Sequence, residues 1–236
     1  NGEIKTLEQQ ISNSIQAPSK MNIKADDLVE KLKNDKKYIS DFKEVFKDEI
    51  KENQDYLSFE NIQKAIAVYV KTLLTRSSFD EFLEGNNEAI SKDAKRGLVN
   101  FMNFGCSGCH TGMSVGGQSV QRFPLRHFAG IHDLRPNLGS PPDFKIIDET
   151  FPFENKGGYL GRSDTQFFRV PILRNVTKTS PYFHNGAVDK IREAVEIMGR
   201  HQVGLNLSDQ QIDEIVEFLK TLEGNIVDYS KDTKVN

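Results

Sequence analysis

The sequence has no tryptophan and only two cysteines among its 236 residues. Two cysteines cannot staple a disulfide-dense scaffold, and no second cysteine pair exists to complete a structural zinc site. No apolar run reaches the roughly 20 residues that a membrane-crossing helix needs. Neither sign of charge dominates: 34 acids face 31 lysines and arginines, for a formal net charge of −3. That balance argues against nucleic acid or anionic membrane as the main partner. The first residues are polar, start at Asn1 and contain no secretory leader. What is present, 37% hydrophobic and 28% charged residues, describes a soluble globular chain long enough for one or two domains.

The two cysteines stand together in Cys106-Ser107-Gly108-Cys109-His110. This is C-x-x-C-H, the attachment sequence for a c-type haem. Thiols one helical turn apart can form thioethers with the two vinyl groups of one porphyrin, and the adjacent histidine can bind the iron. A thioredoxin-like motif also reads C-x-x-C, but it should follow a strand in a βαβ unit, and no such pattern occurs here. Covalent haem attachment takes place outside the cytoplasm. An export signal is therefore expected, and its absence leads to the expectation of a mature, processed or truncated chain.

Elsewhere the chain reads as helices and loops. Residues 1–24 look polar and loop-like. Asp26 and Asp27 open a helical pattern carrying Leu28 and Leu32, and Phe42, Val45 and Phe46 continue a second piece. Ser58 starts a stronger helix with Ile62, Ala65, Ile66, Tyr69, Val70 and Leu73 on one stripe. Phe79, Phe82 and Leu83 form a packed connector. Ser91 is an N-cap for a helix that runs towards Cys106, and Gly97 within it suits a close helix crossing. Residues 111–170 are irregular and rich in glycine and proline, which a compact domain tolerates when the loop wraps something. Arg122, Arg126 and Arg162 are candidates there for the haem propionates. A helix over 188–198 is expected to stop at Gly199. Ser208-Asp209-Gln210-Gln211 is a capping box for a last helix that ends by Gly224.

The Ser58 and Ser208 helices share one plan, from capping serine to Lys71-Thr72-Leu73 and Lys220-Thr221-Leu222. This suggests one module present twice, with residues 1–85 as the later part of a first cytochrome c-like domain and 86–236 as a second domain with one covalent haem. The first module's haem motif would then lie before residue 1. The fold class expected is all-α, a c-type cytochrome fold with long loops around the haem. For the far side of the iron, Met198 is the best placed candidate, since it ends a helix and Met113 lies too near the attachment motif. Met198 reads equally well as core filler on the Ile191/Val195 stripe. His127, His132, His184 and His201 are further candidates, of which His127, His132 and His201 read better as exposed or structurally satisfied.

From Cys106 to Gly224 the chain resembles the bacterial di-haem cytochrome c peroxidases. The resemblance is carried by the haem motif, Phe168-Arg169-Val170-Pro171-Ile172-Leu173-Arg174-Asn175-Val176, Thr179-Ser180-Pro181-Tyr182-Phe183-His184-Asn185-Gly186 and Ala194-Val195-Glu196-Ile197-Met198-Gly199. Asn1-Gly2-Glu3 and Thr6 to Gln10 look like a segment of that family's first domain. The resemblance implies a periplasmic oxidoreductase that reduces hydrogen peroxide to water with electrons from a small c-type cytochrome. It implies two haem c groups in the complete protein, one of them in this chain: a high-potential, electron-entry haem held by Cys106 and Cys109 and ligated by His110 and Met198. It also implies a calcium ion between domains, with Thr179 and Pro181 at ligand positions and Asn1 as a further match, and it leaves room for a homodimer. His184 matches a residue of the inter-haem region.

The sequence departs from the family in two places. The first haem motif is missing, and Pro18-Ser19-Lys20-Met21 carries Lys20 where the family usually has an acid able to assist O–O cleavage. The alternative reading is therefore a non-catalytic electron-transfer cytochrome. A third, an amine-utilisation relative, is disfavoured by Met198, since those proteins usually have tyrosine there.

Overall fold

A computed structural model describes residues 2–49, 55–125 and 151–227. The chain divides into two compact units. One comprises Glu3–Leu74 with Val227–Asn236, the other Asn1–Gly2 with Thr75–Ile226.

The first unit is built from four helices: α1 (Leu7–Gln16), α2 (Ala25–Lys33), α3 (Lys36–Phe46) and α4 (Phe59–Thr72). Helix α1 corrects the loop expected over residues 1–24. Its apolar residues are only Leu7, Ile11 and Ile15, but they recur every four positions and lie on one face. The Thr6 hydroxyl accepts from the Gln9 amide and caps it. Ile11 and Ile15 are buried with Ala67 of α4. Ser58 caps α4 as expected, accepting from the Asn61 amide at 3.2 Å.

The second unit contains β1 (Thr75–Ser77), α5 (Ser78–Leu83), α6 (Lys92–Asn103), β2 (Val120–Arg122), β3 (Phe167–Arg169), α7 (Ile191–Met198), α8 (Asp209–Lys220) and β4 (Gly224–Ile226). The boundary thus falls after Leu74, not at residue 85. Two contacts explain the earlier break. Strand β1 pairs antiparallel with β4, Thr75 against Ile226, and the Phe79 amide donates to the Thr221 carbonyl at 3.2 Å. Helices dominate. The departure from an all-α plan is two two-stranded ladders, β1–β4 and β2–β3, the second within the stretch expected to be irregular.

The centre of this unit is the crossing of α6 and α8. Ser91 and Ser208 cap the two helices, and Gln211 returns the bond to the Ser208 amide at 2.9 Å. At the crossing a Cβ on Gly97 would stand 1.8 Å from the Glu214 carbonyl oxygen. Phe101, Ile215, Phe218, Leu219 and Leu222 pack around it. The Glu214 side chain is buried there and accepts from Arg96 Nε at 2.6 Å and Asn100 Nδ2 at 2.8 Å.

Two helix ends differ from expectation. Gly199 does not stop α7: the chain continues into a π-helical turn over Gly199–Val203, and Gly204, at φ +79°, terminates it. The Leu207 side chain occupies the notch at Gly199, where a Cβ would meet it at 2.8 Å. Helix α8 ends at Lys220, and Gly224 opens β4 instead.

Gly97→Ala is expected to force the two helices apart. Overpacking of this kind costs about 1–3 kcal/mol, and a denaturant titration should find a loss of at least that size.

Candidate functional site

Helix α6 delivers the cysteines. It closes at Phe104, and Gly105, at φ +89°, turns the chain sharply into a 3-10 turn over Cys106–Gly108. The Cys109 and His110 amides both donate to the Cys106 carbonyl, at 3.2 and 3.0 Å. This winds the motif so that Cys106, Cys109 and His110 all line one cavity of about 620 Å³. Both thiols are free. Burial pushes the Cys106 thiol up to about 11 and raises Cys109 as well. Among the described residues no group of three or more Cys, His, Asp or Glu is placed to hold a metal ion.

His110 is half-buried, its ring against Phe101. Burial pushes its imidazole below the ordinary histidine value, and the backbone at Val115 and Pro171 partly offsets this. The Nδ1 atom is buried without a hydrogen bond of good geometry. The reason is a strip of chain, residues 170–173, laid behind the ring. Gly117 donates to Val170 and Val170 to Ser119, both at 2.9 Å, and Leu173 donates to Val115 at 3.2 Å. Gly116 permits this approach: at φ +134°, a Cβ there would lie 2.0 Å from the Pro171 carbonyl and 3.3 Å from His110 Nδ1.

Arg174 fastens the strip. Its Nε donates to the Met113 carbonyl at 2.6 Å, and its two terminal nitrogens hold Asp80 at 2.8 and 2.6 Å. The pair is largely enclosed, at 16% and 22% side-chain exposure. The Arg174 guanidinium holds the Asp80 carboxyl down at about 2, despite the opposing effect of burial.

Met198 lines the same cavity, from the last turn of α7. So do Thr179, Pro181 and His184. The Thr179 hydroxyl donates to the Val176 carbonyl at 3.1 Å. His184 Nε2 is 3.0 Å from Asn155 Oδ1, and its ring packs against Phe151 and Phe168. Arg122 lines the cavity, whereas Arg162 does not. Asn1, Arg126, His127 and His132 lie outside the described residues. Lys20, in the first unit, is exposed and donates to Asn13 Oδ1 at 2.6 Å.

The remaining walls are chiefly apolar, from Val170, Ile172, Leu173, Ile191, Val195 and Leu207. A cavity of this volume is of ligand size. A haem fits these residues chemically. Two neutral thiols face the cavity, and a histidine is held from behind so that Nε2 is left for iron. Sequence reading missed Gly116, Arg174 with Asp80, Gln202 and the aromatic group around His184. Gly116-Gly117 was the available signal for a close backbone approach.

A family model described as di-haem cytochrome c peroxidase matches residues 1–88. The cytochrome c551 peroxidase of Pseudomonas aeruginosa is 34% identical over 228 residues, which cover 95% of this chain and 60% of that protein. The chain is similar to the di-haem cytochrome c peroxidases. Cytochrome c peroxidase Ccp of Escherichia coli is 33% identical, over 98% of this chain and 46% of its own length. The chain therefore spans about half to three fifths of these curated relatives. A solved MauG-like protein associated with microbial copper homeostasis shares the fold. Its TM-score is 0.69 at 21% identity, covering 95% of this chain and 71% of that one. The family so described is one of di-haem proteins.

The Asp80 shift fixes a pH window. The folded-state value is depressed from 3.8 to about 2, so the stabilisation is complete above the unfolded value. It is lost as pH falls through the folded value. By linkage it amounts to about 2 kcal/mol. Asp80→Asn should be less stable than wild type at neutral pH, and the two should converge near the acid end. Urea titrations across this range check it.

Proposed function

We propose that this chain is the electron-entry part of a di-haem cytochrome c peroxidase, which reduces hydrogen peroxide to water with electrons from a small c-type cytochrome. The observation that carries the reading is that Cys106, Cys109, His110 and Met198 share the wall of one apolar cavity. On this reading the second unit is a c-type cytochrome domain. Cys106 and Cys109 would hold the haem through thioether bonds, and His110 and Met198 would ligate its iron. When bound, the haem supplies a one-electron ferric–ferrous couple, with Met ligation favouring a high potential. The residues of this chain hold that group, keep water from it and leave no position for peroxide.

Reduction of peroxide is assigned to the other domain of the complete protein, of which residues 3–74 form the later part. Two haem c groups are expected in that protein, one of them here. A calcium ion held in part by Thr179 and Pro181 belongs to the same reading. So does a periplasmic location, since thioether attachment occurs outside the cytoplasm. Among the described residues no helix is long and apolar enough to cross a membrane. A second reading, a carrier without a catalytic site, is favoured by Lys20, which sits exposed on Asn13.

Expression of the full chain with an export leader and haem-attachment machinery should yield one covalent haem per chain. Cys106→Ala with Cys109→Ala should abolish attachment. Met198→Ala should keep the covalent haem, lower its potential and let an added ligand such as cyanide bind the iron. A Met198→Ala spectrum and potential equal to wild type would remove the methionine from the reading. Peroxide turnover by the complete protein with a reduced small cytochrome separates the two functions, and none after reductive activation leaves the carrier.

A further inference from the structure

The haem cavity is not uniformly apolar. Its charged lining residues are Arg122 and Arg169, with Gln121 and Gln202 nearby in the lining, and no Asp or Glu lines it among the described residues. Register places the two arginines together. Val120 pairs with Arg169 and Arg122 with Phe167, so Arg122 and Arg169 stand on one face of the β2–β3 ladder as diagonal neighbours. Arg169 has its Nε committed to the Gly117 carbonyl at 2.9 Å. Arg122 is less committed. One terminal nitrogen donates to Gln166 Oε1 at 3.1 Å, while its Nε is buried with no partner. Gln202 donates its amide to the Arg122 carbonyl at 3.0 Å, and its own Oε1 is likewise buried and unpartnered. Buried polar groups left without partners are uncommon and costly, so an unoccupied donor beside a cavity points to a missing acceptor.

An apolar cavity with a cationic border and no acid suits a flat apolar ligand that carries carboxylates on its edge. We propose that Arg122, positioned by Gln202, receives a propionate carboxylate of the haem. This rests on the haem reading above and extends it to residues outside the attachment motif. A guanidinium offers five donors in a plane, so Arg122 can keep Gln166 and still present a pair of N–H groups to a carboxylate. Gln202 stands on the π-helical turn that directly follows Met198. Its bond to β2 therefore makes one segment serve both the axial methionine and the propionate. Arg122 also acts on the couple itself: a cation beside the carboxylate keeps it ionised, and it disfavours the more positive ferric state.

The test is spectroelectrochemistry of the haem-loaded full chain from about pH 5 to 9. Besides Cys106, Cys109 and His110, the other titratable or charged groups of the wall are Arg169, His184, Tyr159 and Tyr182, and Arg200 and His201 neighbour Gln202 in sequence. Wild type should show a potential nearly independent of pH. Arg122→Gln should shift the redox equilibrium about tenfold towards the ferric state, about 59 mV for a one-electron couple. A pH-dependent slope should also appear as the propionate begins to titrate. Arg122→Lys should keep most of the wild-type profile, and Gln202→Leu should move it in the same direction as Arg122→Gln but less. An Arg122→Gln profile equal to wild type overturns the proposal. Should that variant not take up haem, Gln202→Leu decides, and a wild-type profile in it overturns the proposal. A wild-type chain that takes up no haem overturns the haem reading as well. A loaded chain indifferent to Arg122 overturns this assignment alone.

Discussion

The second unit depends on how closely α6 and α8 cross. Gly97 lets the α8 backbone lie where a side chain would otherwise stand. That approach brings Phe101 against Phe218, with ring centroids 5.3 Å apart, and buries the Glu214 carboxylate in the seam. A buried charge is tolerable only when it is paired and hydrogen-bonded. Glu214 meets the condition with Arg96, Asn100 and, one turn back on its own helix, Gln210 at 3.1 Å. The crossing thereby sets where α6 ends, and Gly105 then decides where the cysteines emerge. The position of Cys106 is thus inherited from a glycine nine residues earlier.

Behind the motif the same economy recurs with backbone in place of helices. Residues 114–119 and 170–173 bind each other through main-chain bonds, and Gly116 removes the side chain that would separate them. His110 is enclosed between this strip and Phe101. The apolar enclosure raises both thiols and lowers the imidazole for one reason, that charge is poorly solvated there. The ion pair of Arg174 and Asp80 closes the strip from outside the cavity. It ties the Met113 carbonyl, three residues past His110, to the first turn of α5.

How much of this could be read in the sequence follows from range. Ser58, Ser91 and Ser208 announced their helices because a cap and its stripe are local signals. Gly97 announced the crossing because a glycine amid helical periodicity needs a reason. Helix α1 was hidden by polar residues on three of its faces, although Leu7, Ile11 and Ile15 kept its period. Arg174 and Asp80 are 94 residues apart, and no periodicity links them. The aromatic group of Phe123, Phe151, Phe153, Phe168 and Phe183 gathers from loops and from strand β3, and only the fold brings the rings together. The break was expected at residue 85 because Thr75 and Phe79 carry no local sign of their distant partners, Ile226 for β1 and Thr221 for α5.

Gly199 shows how one misread residue conceals others. Taken as a stop, it ends the cavity-lining stripe at Met198. In the structure Ile191, Ala194, Val195, Met198, Gly199, Gln202 and Val203 all line the cavity, a stripe spaced by three and four that runs through the π-helical turn. The glycine is there for Leu207, which fills its notch and lets the turn continue. A π-helical turn inside a helix often marks a functional position. Here it adds one further turn to the wall and so places Gln202 within reach of the Arg122 carbonyl. Met198 is accordingly the last residue of α7 and also the middle of a lining surface. That position on the stripe is what both the axial-ligand reading and the core-filler reading require.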